Sequence, residues 1–215
     1  LLKKTDYINA DKVDFSSLFL GATFMEKTKR ETKQCIIPIH KPNLREYAFF
    51  FVSGIVVSIP FAAFFESIYP TETAFATIIL IVVLAPIIEE LAKIFPLFYR
   101  HGETQRSIVT LGLLLGLGFG IAEFFQYVVF VGVPPIARVP GIIFHASSSI
   151  VVAYGIAKKN PIPYYLIAVA LHSANNFLAV TGGFYGLLLA LLVLISTYWL
   201  AWRYWRRARP DVIVV

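Results

Sequence analysis

Charge is what this sequence has least of. Only 15% of its 215 residues are Asp, Glu, Lys or Arg, against about 25% in an ordinary soluble domain. Hydrophobic residues make up 58% and mean hydropathy is +0.72. That balance excludes a typical water-soluble domain and points to a bilayer protein. Cysteine is nearly absent as well. Cys35 stands alone, which excludes an intrachain disulfide framework and a cysteine-ligated metal site. The net charge of +6 does not argue for nucleic acid, because the basic residues sit at the ends of apolar runs. Lys and Arg in those places read as topology and headgroup contact, so the lipid bilayer is an expected partner and nucleic acid is not. The chain opens at Leu1, so targeting is not read from its start.

What is present is a series of long apolar runs. A polar segment, 1–43, comes first. It includes an interfacial segment over Val13–Met25, too short to span a bilayer, and a solvated charge run from Glu26 to Gln34. Six runs follow, at about 46–66, 73–98, 107–132, 139–157, 162–180 and 184–202, each near the ~20 residues that cross ~30 Å of hydrocarbon. Turn-like pairs separate them: Tyr69-Pro70, His101-Gly102, Pro134-Pro135, Asn160-Pro161 and Gly182-Gly183. The expected fold is an all-α polytopic bundle of about six transmembrane helices. A membrane domain occupies 44–205 and a short tail 206–215. Nine of the nineteen Lys and Arg residues fall between Lys3 and Arg45, and most of the others alternate from loop to loop. By the positive-inside rule both termini are expected in the cytoplasm.

A few residues do not belong in hydrocarbon. The second run carries Glu89, Glu90 and Lys93 after Ala85-Pro86. An ionised side chain at a helix centre costs ~2.5–3.5 kcal/mol on insertion scales. Glu89 and Lys93, four residues apart, are expected to pair, leaving Glu90 about 100° around the helix without that lysine. Pro86 removes a backbone donor and should open the helix just before the glutamates. The third run has Gly112, Gly116 and Gly120 on one ridge with Glu123 on the same side, and Tyr127 a turn beyond. The fourth carries His145 with Ser148 and Ser149, and the fifth carries His172 with Asn175 and Asn176. Helix rise places these groups within roughly 10 Å of one another in depth. Arg138, at the outer end of the fourth run, reads as an anchor, with the holding of a substrate carboxylate or backbone as the alternative.

Glutamates and imidazoles in a low-dielectric site suit acid–base work. A carboxylate can take a proton from water while His145 orients it, and His172 with Asn176 can donate to a developing oxyanion. That is a recipe for peptide hydrolysis without a covalent intermediate; no Ser-His-acid triad is evident. The chain also lacks a His-Glu-x-x-His helix. A zinc route would therefore draw its ligands from separate helices, with Glu123, His145 and His172 as the set; otherwise no metal and no cofactor is expected. A proton-coupled transporter and a non-catalytic scaffold are the alternatives. The first would carry an internal repeat, and none is found.

The motifs Glu89-Glu90-x-x-Lys93, Gly118-Phe119-Gly120-Ile121-Ala122-Glu123, Arg138 through His145, and His172-x-x-x-Asn176 occur in order over about residues 80–180. In this the sequence resembles the PrsW family of intramembrane proteases, within the superfamily of the CAAX prenyl endopeptidases. The resemblance implies an endopeptidase of the prokaryotic inner membrane that cleaves membrane-anchored protein substrates, such as anti-sigma factors. It implies Glu89, Glu90, Glu123, His145, His172 and Asn176 as catalytic residues. Glu123 stands where the CAAX branch has histidine, which favours the PrsW branch, and Phe124 stands where that branch often has Asn.

Overall fold

The structure, a computed structural model, describes residues 39–99 and 103–214. The interfacial segment, the charge run and the His101-Gly102 separator lie outside the described residues. Six long helices are present among them: α1 Leu44–Ser67, α2 Ala74–Tyr99, α3 Gln105–Val131, α4 Pro135–Ala157, α5 Pro161–Thr181 and α6 Gly183–Arg207. All but α5 are long and apolar enough to cross a membrane; α5 falls short in composition because it holds His172, Ser173, Asn175 and Asn176. There are no strands among the described residues, only isolated bridges. The fold is an all-α bundle of transmembrane type.

Local chemistry starts and bends these helices. Asn43 and Glu46 form a reciprocal capping box at the start of α1, and Thr73 and Thr104 cap α2 and α3. In both α1 and α2 a stretch of wider, π-type turns precedes a proline: Gly54–Ser58 before Pro60, and Leu80–Leu84 before Pro86. The cause in α2 is traceable. The Ala85 N–H reaches back five residues to the Leu80 carbonyl, so the next bond in that register would run from residue 86 to Ile81. Proline has no N–H to make it. The Ile81 carbonyl is left open, as Pro86 leads one to expect.

α4 is the central helix. Every residue from Phe144 to Ala157 is buried, whereas α6 lies mostly outside, with 11% of its apolar window enclosed against 72% for α4. The glycine ridge of α3 allows its close approach to α4. A Cβ at Gly112 would meet Ala153, one at Gly116 would collide with the His145 carbonyl and Ser149, and one at Gly120 would lie 2.9 Å from Ile142 Cα. A second close approach, which the ridge spacing does not reveal, joins α1 to α3 where Gly54 and Gly118 face each other's backbones.

These contacts make α3 and α4 antiparallel and gather the basic residues at one end. Arg45, Arg106, Lys158, Lys159 and the arginines from Arg203 to Arg209 are there. At the other end Arg138 is the sole described Lys or Arg. Residues after α6 fold back onto the start of α3: Gln105 N–H donates to Val212 O at 2.9 Å and Val214 N–H to Glu103 O at 2.8 Å. Val214 joins a buried cluster with Leu97, Ile108, Leu111 and Val152. The larger part of the apolar core therefore lies in the basic half of the bundle, with a smaller cluster of Ala62, Ala92 and Phe119 beyond it.

Candidate functional site

Beyond that core, α2, α3, α4 and α5 turn their polar residues toward one another. Lys93, fully buried, is the centre. Its Nζ donates to Glu90 Oε1 at 2.5 Å, to His145 Nδ1 at 3.0 Å and to Ser148 Oγ at 3.2 Å. An ammonium has three donors and no acceptor, so all three are used. The expected Glu89–Lys93 pair is not formed; Lys93 neutralises Glu90 instead. Both glutamates lie within reach of the lysine around the helix, and the acceptors offered by α4 draw the ammonium to the Glu90 side.

The hydrogen bonds also fix both imidazoles. His145 Nδ1 accepts from Lys93, so its Nε2–H donates to Glu123 Oε2 at 2.6 Å. His172 donates Nδ1–H to Glu90 Oε1 at 2.9 Å, because a carboxylate only accepts. Ser148 Oγ donates to the same oxygen at 3.1 Å. Three donors thus converge on Glu90 Oε1. Glu123 is held from its other side by Arg138, whose Nη2 lies 3.0 Å from Oε1 and whose guanidinium lies 3.8 Å over the Tyr127 ring. Arg138 is thus a partner of the site, not the anchor its position suggests.

Glu89 differs from its neighbour. Its Oε2 has no hydrogen-bond partner and lies 3.8 Å from His172 Nε2, too far for a direct bond. Both groups border a cavity of about 320 Å³ whose floor is Glu89, Phe144, His145 and His172. Its walls, including Ile81, Tyr127, Arg138, Asn176 and Val180, come only from the half of the bundle away from the basic end. Glu66 on α1 also lines it, with a buried Oε1 that lacks a partner. Lys93 serves Glu90 and Arg138 serves Glu123, so Glu66 and Glu89 are the cavity carboxyl groups with no cation paired to them among the described residues.

The residues expected at the site therefore all border one region, with unequal roles. Asn176 Nδ2 donates to the Ile81 carbonyl at 3.0 Å, which is the acceptor that Pro86 leaves open. Ser149 packs against Gly116 and takes no part in the network. For a metal, the donor atoms that converge within 4.8 Å of one another are those of Glu89, His145 and His172. Glu123 instead accepts from His145 Nε2, and with Lys93 at Nδ1 both ring nitrogens of His145 are engaged. Sequence reasoning passes over Glu66, because a carboxylate at the end of an apolar run is ordinary; a clue was its position at the same end of the bundle as Glu123. Compared with family models, curated proteins and solved structures, the chain finds no match.

Proposed function

We propose that this chain is an intramembrane endopeptidase of the kind its motifs resemble, hydrolysing a peptide bond of a membrane-anchored protein by direct attack of water. The observation that carries the reading is the contrast at the cavity floor. Glu90 Oε1 takes three donors, from Lys93, Ser148 and His172, and Glu90 does not line the cavity, while Glu89 lines it and faces His172 Nε2 across 3.8 Å with Oε2 unengaged. A gap of that width suits a bridged water that accepts from His172 Nε2–H and donates to Glu89. Glu89 takes a proton from the water, and the hydroxide adds to the scissile carbonyl. His172, when protonated on both nitrogens, donates Nε2–H to the oxyanion, with Glu90 at Nδ1 balancing its charge. Glu89 then returns the proton to the leaving amine. His145, locked between Lys93 and Glu123, holds the floor rigid.

The basic end is assigned to the cytoplasm, so the cavity opens toward the opposite face and the substrate peptide enters from there. A membrane of bacterial type follows from the resemblance. A metal-assisted version of the same hydrolysis is favoured by one observation, the convergence of Glu89, His145 and His172. A zinc ion held there would polarise the water, and His145 would give up its bond to Lys93 or to Glu123 to ligate it.

The test is cleavage of a single-span membrane protein by the purified chain in liposomes. The double variant Glu89→Gln/Glu90→Gln should give no product; cleavage at the wild-type rate by that variant sinks the proposal. Treatment with 1,10-phenanthroline separates the two routes: loss of activity restored by added zinc selects the metal route, and unchanged activity selects the glutamate route.

A further inference from the structure

A second cavity, on the opposite side of α4 from the site, has no part in this chemistry. It is a groove of about 300 Å³ between α3, α4 and α6, lined almost wholly by apolar side chains that include Leu113, Leu117, Ile143, Ala201, Trp202 and Trp205. Ile143 and Trp202 are each 46% exposed, so the groove opens sideways to the surroundings of the bundle. It begins near the basic end and runs inward to Leu117, twelve residues from Gln105, or about 18 Å at helical rise. That is about the depth of one leaflet of hydrocarbon, half of ~30 Å.

Volume decides what can fill it. A helix about 10 Å across would need well over ~1,000 Å³ over that depth. Spread over about 15 Å, 300 Å³ leaves the cross-section of a single extended hydrocarbon chain. Charge decides what the chain is attached to. At the mouth, Arg106 lies 5.0 Å over the Trp205 ring and Arg206 lies 4.9 Å over the Trp202 ring. Arg106 is held there by its Nε–H bond to the Ala208 carbonyl at 3.2 Å. Two guanidinium groups stacked on tryptophan rings that line an acyl-sized slot match a phosphate-bearing anionic headgroup.

We infer that the groove is a binding site for an anionic phospholipid of the leaflet at the basic end, with one acyl chain in the slot and the headgroup between Arg106 and Arg206. This stands independently of the peptidase reading. Because Trp202 and Trp205 line the slot, the ligand can be detected by fluorescence. The chain has three tryptophans, and a Trp199→Phe background leaves the two reporters. In phosphatidylcholine vesicles, a small fraction of phosphatidylglycerol with brominated acyl chains should quench them at least twofold more than the same fraction of brominated phosphatidylcholine. Arg206→Gln should reduce that preference to near parity, and Ile143→Phe, on the lipid-facing wall, should weaken quenching by both lipids. Equal quenching by the two lipids in the unsubstituted groove would overturn the inference. So would an undiminished preference in Arg206→Gln or undiminished quenching in Ile143→Phe.

Discussion

The network around Lys93 and the cavity beyond Glu89 meet on one turn of α2, yet they are built on opposite terms. In the network every donor of the lysine is spent and both imidazoles are fixed in orientation. In the cavity, Glu66 and Glu89 each have an oxygen with no partner and no cation paired to them among the described residues, whereas Glu90, whose Oε2 is also without a partner, has its charge met by Lys93. A buried network in which every donor is used and the charges are paired is rigid, and an unpaired buried carboxyl is a liability unless something else completes it. The difference teaches that adjacent glutamates in a membrane helix need not share a role. Glu90 belongs to the scaffold that orients His172, and Glu89 lines the cavity, the place where the proposed reaction puts its substrate and water.

The contrast can be broken from the network side first. Lys93→Met leaves Glu90 as an uncompensated buried charge and should destabilise the protein by about 3–5 kcal/mol, read as a large fall in thermal midpoint in detergent. Adding Glu90→Leu should recover most of that loss, since an apolar pair often replaces a buried ion pair without penalty, but should not restore cleavage. If Lys93→Met alone were as stable as the unsubstituted chain, the network would not be what holds this region together. A smaller effect is expected where α3 meets α4. Gly116→Ala places a methyl against the His145 carbonyl and Ser149, and such overpacking costs about 1–3 kcal/mol. Activity should fall with it, because His145 is displaced from Glu123; an unchanged thermal midpoint would show that the two helices have slack there.

The smallest effect sharpens the role of Asn176. Removing its side chain leaves the Ile81 carbonyl unpaired, worth about 1 kcal/mol at a partly exposed site. Asn176→Ala should therefore lower the thermal midpoint slightly and leave kcat within a few fold. A loss of kcat of a hundredfold with unchanged stability would instead assign Asn176 to the oxyanion.

Most of the bundle is legible in the sequence. The run expected at 162–180 corresponds to α5, Pro161–Thr181, and the other five fit to within two residues except at two ends, of which one is the start of α4, at Pro135 rather than 139, where proline suits a first helical position. The last run ends at 202 because Arg203 breaks its hydropathy, yet α6 continues to Arg207, since interfacial Trp and Arg suit a helix that is leaving the membrane. Depth and face also identify which polar residues meet. What periodicity cannot supply is the partner within a turn. Glu89 and Glu90 both lie within reach of Lys93, and only the acceptors contributed by α4 decide between them. Nor can it supply the widened turns before Pro60 and Pro86, which shift every later residue around the helix axis. The pairing of residues 212–214 with the start of α3 rests on backbone hydrogen bonds that side-chain pattern does not encode.

The most direct measurement sets Glu89→Gln beside Glu90→Gln, following cleavage of a single-span substrate and thermal unfolding for each. Glu89→Gln should fold with a thermal midpoint close to that of the unsubstituted protein and lose about 10²–10⁴-fold in kcat, the scale of a missing general base. Glu90→Gln should lose stability, because the Lys93 ammonium is left buried without its carboxylate. The reverse pattern, an unstable Glu89→Gln and a stable but inactive Glu90→Gln, would contradict the division of roles between these two neighbours.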